Sequence, residues 1–180
     1  ARLLAEVAPG AVAPLEGVRY APVIVVGVGY RVQDLPRALD GFGYLIPSGE
    51  GRRLLGVLWP TTIFEGRAPP GHALLRVIMG GDRNPELMQL DDEALLAVVR
   101  EELSLTLGGP LPAPSFSRIV RWPQGIPQYE LGHLGRVAAA EGAISDLDGL
   151  YLGGNGLYGV SLADCVARAD ALPELVLRAD

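Results

Sequence analysis

Residues Ile24–Arg31 read IVVGVGYR, and two folds compete for them. A strand that runs into Gly27 and Gly29 begins as a dinucleotide-binding fingerprint does. That fingerprint needs a third glycine three residues on, and a helix whose N-terminus faces a pyrophosphate. Val32 stands at that place, and Pro36 breaks any helix at once. The stretch therefore reads as a strand, Val23–Tyr30, whose end contains glycines. Its companions are Gly43–Ile46, Arg53–Trp59 and Ala73–Met79, separated by turn signals at Asp40-Gly41, Ser48–Gly51 and Ala68–Gly71. Closely spaced strands with short turns predict an antiparallel sheet. Their long apolar runs predict cover on both faces, by helices or by a ligand cavity.

Further along, Leu90–Leu107 carries an apolar stripe of Leu95, Val98, Val99 and Leu103 at helical spacing. Asp91, Asp92 and Glu93 suit the positive end of its dipole, and Gly108-Gly109-Pro110 end it. Ser115–Trp122 returns to strand. His133–Leu147 reads as a helix, Leu150–Leu152 as a short strand, and Gly159–Leu172 as a last helix that Pro173 shortens or kinks. The residues up to about Pro127 thus form an α+β unit. The final strand and helix read as an addition to some other sheet. At the start, ARLLAEVAP reads as the last turns of a helix stopped by Pro9-Gly10, as in a piece of a longer protein.

Composition narrows the function. The chain has 180 residues, 49% of them hydrophobic, so it can bury a core. A net charge of -6 without a basic patch argues against nucleic acid. The single Cys165 and the separated His72 and His133 predict neither a disulfide nor a metal site. We expect a cytoplasmic protein, since no signal peptide core is visible. A membrane surface and a second copy of the chain stay open as partners.

Two motifs carry the chemistry. In YLGGNGLYGVSLADC (Tyr151–Cys165), glycines let backbone approach a flat or charged ligand, and a following helix start aims N–H groups at it. An ordinary strand-to-helix loop accounts for the same letters equally well. In RWPQGIPQYELGHL (Arg121–Leu134), two prolines fix an irregular loop that presents Trp122, Ile126 and Tyr129. Those side chains suit either a wall for a planar cofactor or a packed join between domains, and physics favours packing.

Together the two motifs are similar to the protoporphyrinogen oxidase family of FAD-dependent, amine-oxidase-like flavoproteins. GFGYLIP (Gly41–Pro47), LLGVLW (Leu54–Trp59), TIFEGRAPPG (Thr62–Gly71) and LLRVIMGG (Leu74–Gly81) resemble it too, in the family's order. So does the passage from Arg83 to Leu103, and the resemblance covers nearly the whole chain. It implies an antiparallel or mixed sheet in a substrate-binding domain, 1–127, and a C-terminal segment, 128–180, whose strand and helix complete a Rossmann-like FAD-binding domain. It implies contact with FAD at Gly154, Asn155, Gly159, Val160, Ser161 and Leu162, with Trp122 as an aromatic residue near the flavin. It implies a tetrapyrrole pocket at Leu45, Leu58 and Ile78, positions that composition alone would give to the sheet core.

The implied reaction is the oxidation of protoporphyrinogen, or coproporphyrinogen, to the porphyrin in haem synthesis, with oxygen as electron acceptor. No catalytic acid, base or metal ligand is implied, because the cofactor carries the chemistry. The partners implied are the tetrapyrrole and the rest of the FAD-binding domain, without which the chain alone is expected to be inactive. The family's substrate-anchoring arginine has no match here. The rival readings are another flavin amine oxidase or desaturase, and a non-catalytic fragment that binds an apolar ligand. His133 reads as a cap or packing group, Asp164 and Asp170 as solvated, Arg67 as a loop pin and Cys165 as a small hydrophobe.

Overall fold

The computed structural model describes residues 1–177. In chain order its elements are α1 (Pro9–Glu16), β1 (Tyr20–Arg31), β2 (Gly43–Leu45), β3 (Leu54–Leu58), α2 (Pro60–Ile63) and β4 (His72–Gly80), then α3 (Asp92–Leu107), β5 (Phe116–Pro127), α4 (His133–Gly142) and α5 (Leu162–Leu177). The fold is α+β. The chain divides into two compact units, residues 22–125 and residues 1–21 with those from 126 on. By sequence alone the first 21 residues belong with the sheet unit. They group instead with the C-terminal part because α1 lies against α4.

In the unit 22–125 the strands lie in the order β2-β3-β4-β1-β5. β1 with β4, β2 with β3, and β3 with β4 are antiparallel pairs. Side chains alternate across a strand, and β4 shows what that does here. Ala73, Leu75, Val77 and Met79 are buried, in one core cluster with Leu95, Val98, Val99 and Leu103 of α3. Leu74 and Ile78 are half-buried and Arg76 is exposed. Within this chain the sheet is therefore covered by a helix on one face only, and of the two covers expected the other face is left for a ligand cavity. Apolar letters record compatibility with burial, not burial itself.

Helix α3 is ended by its own sequence. The Asp91 carboxylate accepts from the Ala94 N–H at 2.8 Å, and Gly108 adopts a left-handed φ of 81°. Glu102, buried on α3, accepts from Arg52 Nε at 2.6 Å and from the Arg53 backbone N–H at 3.0 Å. Beyond the expected Trp122, β5 continues to Pro127, so the segment from Arg121 is strand rather than irregular loop. Pro123 and Pro127 can stand there because β5 is an edge strand, which can spare their missing donors.

In the other unit, Ala8, Ala11, Ala140 and Ile144 form a small cluster between α1 and α4. Pro9 begins α1 rather than stopping a helix, for a proline in the first turn lacks only an N–H that would have had no acceptor. Helix α4 ends at Gly142, and turns follow it. Leu150–Leu152 forms no strand among the described residues; the Leu150 N–H instead closes a turn onto the Leu147 carbonyl at 3.3 Å. Helix α5 begins at Leu162, three residues later than expected, and passes through Pro173. A proline there removes one backbone bond without forcing the helix to stop. No helix among the described residues is long and apolar enough to cross a membrane.

Candidate functional site

The open face of the sheet can be reconstructed from register. Residues opposite one another in an antiparallel pair share a face. Leu45 stands opposite Gly56, Gly56 opposite Ile78, and Ile78 opposite Val25, giving one row across β2, β3, β4 and β1. The next row on that face is Gly43, Leu58, Arg76 and Gly27. The three candidate substrate residues, Leu45, Leu58 and Ile78, thus meet on one surface. Leu45 is 81% exposed, whereas Leu58 and Ile78 are half-buried.

Glycines shape this surface. A Cβ on Gly56 would stand 2.8 Å from Leu45 Cδ2, so the leucine lies over the glycine. Gly43, at φ 130°, has no room at all, since its Cβ would fall 2.0 Å from the Val57 carbonyl oxygen. Phe116 lies over Gly29, with its Cβ 3.1 Å from where a glycine Cβ would be. Two hollows follow. One, of about 220 Å³, has Val25, Gly27, Leu74, Arg76, Phe116 and Arg118 in its wall. The other, of about 490 Å³, is lined by Gly29, Arg67, Pro69, His72, Leu74 and Phe116, among others. Trp122 belongs to this same unit and is 53% exposed.

The other candidate residues, Gly154, Asn155, Gly159, Val160, Ser161 and Leu162, lie in one loop and helix start of the second unit. Gly154, Asn155, Val160, Ser161 and Leu162 are exposed. Gly154 is left-handed, at φ 105°, with open space where a Cβ would point, so its backbone can be approached closely. Gly159, at φ 68°, precedes α5 rather than beginning it, and its Cβ would meet Asp164 Cβ at 2.1 Å. Ser161 and Asp164 cap the helix reciprocally. The Asp164 N–H donates to Ser161 Oγ at 3.1 Å, and the Ser161 N–H donates to Asp164 Oδ2 at 3.3 Å. The Ser161 N–H, expected to be free for a ligand, is therefore engaged, and Asp164 is the capping group rather than a merely solvated charge.

The loop is held from below by the motif that precedes it. The Tyr129 hydroxyl donates to the Asn155 carbonyl at 2.5 Å, and His133 Nε2 lies 2.9 Å from the Leu157 carbonyl. A carbonyl only accepts, so Nε2 carries the proton. The two rings stack at 3.9 Å between centroids with 14° between planes. Gly156 admits Tyr20, whose Oη stands 2.4 Å from where a Cβ would be. The buried His133 is a packing group, as expected. The joint action of Tyr129 and His133 on backbone carbonyls escaped the sequence reading, although their spacing of four residues was visible. Tyr158 donates to the Glu141 carboxylate, with the Arg168 guanidinium 3.8 Å above its ring. Burial, and then the bond to Glu141, push the Tyr158 phenol up to about 12. An exposed glycine loop leading into a capped helix can receive the flat edge of a flavin, so the residues present fit that group. Among the described residues no cluster of three or more His, Cys, Asp or Glu could hold a metal ion.

Comparison with known proteins shows the family. The chain matches the family described as flavin containing amine oxidoreductase over residues 2–170. It is 38% identical over 159 residues to the chloroplastic protoporphyrinogen oxidase of Nicotiana tabacum, covering 83% of this chain and 29% of that protein. It is 31% identical over 170 residues to the coproporphyrinogen III oxidase of Propionibacterium freudenreichii subsp. freudenreichii, covering 94% of this chain and 32% of that one. The solved structure of a candidate protoporphyrinogen oxidase from Exiguobacterium sp. 255-15 superposes with a TM-score of 0.77 at 26% identity, over 97% of this chain and 39% of the other. The chain thus spans about a third of the length of the curated relatives it matches.

Proposed function

The chain belongs to the flavin containing amine oxidoreductase family, and from that premise we propose that it serves a flavoenzyme that oxidises protoporphyrinogen or coproporphyrinogen in haem synthesis. The observation that carries this reading is the open sheet face, where Leu45, Leu58 and Ile78 flank a floor that includes Gly27, Gly43 and Gly56. A broad flat ligand needs such a surface, largely apolar and with glycines that leave it room. FAD, when bound, would supply the redox chemistry, with oxygen as the final electron acceptor. The chain's own residues bind and orient. The glycine loop from Gly153 to Gly159 presents backbone to the flavin, while Tyr129 and His133 fix that loop. Leu45, Leu58 and Ile78 hold the tetrapyrrole away from water.

We also propose that Leu150–Leu152 and α5 complete a Rossmann-like FAD-binding domain. The apolar residues Leu131, Leu134, Leu162 and Val166 are exposed in this segment's own unit and need cover of the kind a larger domain supplies.

The test is anaerobic reduction of the full-length flavoprotein. Porphyrinogen should bleach the flavin absorbance, and admitted air should restore it as porphyrin fluorescence appears. Bleaching by an amine and by neither porphyrinogen would assign the protein to another activity of the family. Ile78→Arg should weaken porphyrinogen binding at least tenfold, about 1.4 kcal/mol, with flavin content kept, because a desolvated charge opposes an apolar ligand.

A further inference from the structure

Most arginines whose contacts can be followed are tied to a neighbour. Arg52 bonds to Glu102, Arg53 to Glu101, Arg83 to the Ile46 carbonyl, Arg100 to the Leu111 carbonyl, and Arg121 to Asp92. Arg76 and Arg118 differ. Among the described residues neither guanidinium has a hydrogen-bond or ion-pair partner, and both side chains line the smaller hollow on the open face.

Their placement has no structural explanation. Arg76 lies in β4, with a hydrogen-bonded strand on either side. Its cross-strand neighbours are Leu58 and Gly27, and Leu74 and Ile78 flank it along the strand. A charged residue that only solvated this face would be expected to find an acidic partner across the strand or a polar surround. Neither is present, and no carboxylate lines either hollow. Arg118 comes from β5, on the far side of β1, with its carbonyl oxygen 3.9 Å from where a Cβ on Gly27 would be. The two stems are therefore two strand spacings apart, roughly 10 Å. That separation suits two carboxylates on the rim of one large ring better than a single bidentate acid.

We propose that Arg76 and Arg118 bind the carboxylate side chains of the tetrapyrrole as its ring lies over Gly27 between them. The inference rests on the functional reading above and deepens it, for these residues bear on specificity. In a chain of net charge -6, unpaired guanidinium groups on an apolar face select for an anionic ligand. Guanidinium forks match carboxylates in geometry as well as charge. Coproporphyrinogen has more carboxylates than protoporphyrinogen, so the pair should favour it.

The test uses the full-length flavoprotein and the stable porphyrins as fluorescent probes. Coproporphyrin III and protoporphyrin IX are titrated against the parent protein, Arg76→Gln, Arg118→Gln and Arg76→Lys, with flavin content measured for each. The Gln variants should weaken coproporphyrin binding roughly tenfold, with a loss at least as large as for protoporphyrin. Arg76→Lys should fall between, since it keeps the charge and loses the fork. Arg118→Gln, exposed on an edge strand, keeps the test valid if Arg76→Gln does not fold. Unchanged affinity, or a loss confined to protoporphyrin, overturns the assignment. If the parent protein oxidises porphyrinogen while the variants bind as it does, only the arginine assignment falls. If the parent neither binds porphyrin nor is reduced by porphyrinogen, the functional reading falls, and this inference with it.

Discussion

The unit of residues 22–125 and the unit that contains the glycine loop are built on different physics. In the first, β1, β3 and β4 close on α3 through fully buried side chains such as Ile24, Val57, Leu75 and Leu95. Order there comes from apolar area removed from water. In the second, the apolar cluster of Ala8, Ala11, Ala140 and Ile144 is small. Its loop is positioned instead by separate polar ties: Tyr129 to Asn155, His133 to Leu157, Tyr158 to Glu141, and Ser161 with Asp164. A ligand floor can be broad and tolerant when a packed sheet supports it. A backbone loop that must meet a cofactor is set by several specific bonds, each worth about 1 kcal/mol.

The largest expected effect separates the two faces of the sheet. Leu75 is fully buried, so Leu75→Ala should destabilise by about 3 kcal/mol in denaturant unfolding. Leu74, its neighbour on the open face, is half-buried, and Leu74→Ala should cost about 1 kcal/mol or less. Equal losses would mean that both faces of the sheet are packed alike.

The next effect sharpens the account of the loop. Gly159→Ala should cost roughly 2 kcal/mol, because the residue is left-handed and the new Cβ strikes Asp164. In the full-length protein it should also lower flavin content. Gly135→Ala is the control: it lies within α4 with open space around it and should be neutral or stabilising. A harmless Gly159→Ala would show that the Ser161–Asp164 cap does not depend on the turn before it.

Much of this was legible in the letters. Apolar, β-branched runs and turn signals placed β1 to β4, and the acidic start and glycine end of α3 stood in plain view. What escaped depends on distant partners. Pro9 looks like a stop until α4 is found beside α1. Leu150–Leu152 looks like a strand because its residues are apolar, yet a strand exists only with a neighbour. Leu45, Leu58 and Ile78 could be gathered on one face only once register was known, since a shift by one residue would turn any of them over. Arg76 was passed over for the same reason: in sequence it is one basic residue among apolar ones, and only register shows the glycine and leucine beside it.

The smallest effect tests a single polar tie, at Tyr158. Its hydroxyl donates to Glu141, and Tyr158→Phe removes that bond with little change of shape, at a cost of about 1 kcal/mol. The pH dependence follows from the raised pKa. The phenol rises from 10.0 to about 12, first because burial disfavours the phenolate and then because the neutral hydroxyl donates to the Glu141 carboxylate. A folded value above the unfolded one means that the folded state holds the proton more tightly. The stabilising contribution is thus fully present below pH 10, and it is lost as pH rises toward about 12. The difference in unfolding free energy between the parent protein and Tyr158→Phe should be constant through neutral pH and shrink across that alkaline window. Ultraviolet titration should show one phenol fewer among those that ionise late. A difference that shrank instead between neutral pH and pH 10 would mean that the phenol is not held by burial and Glu141, and the loop unit would then have one polar tie fewer than the structure gives it.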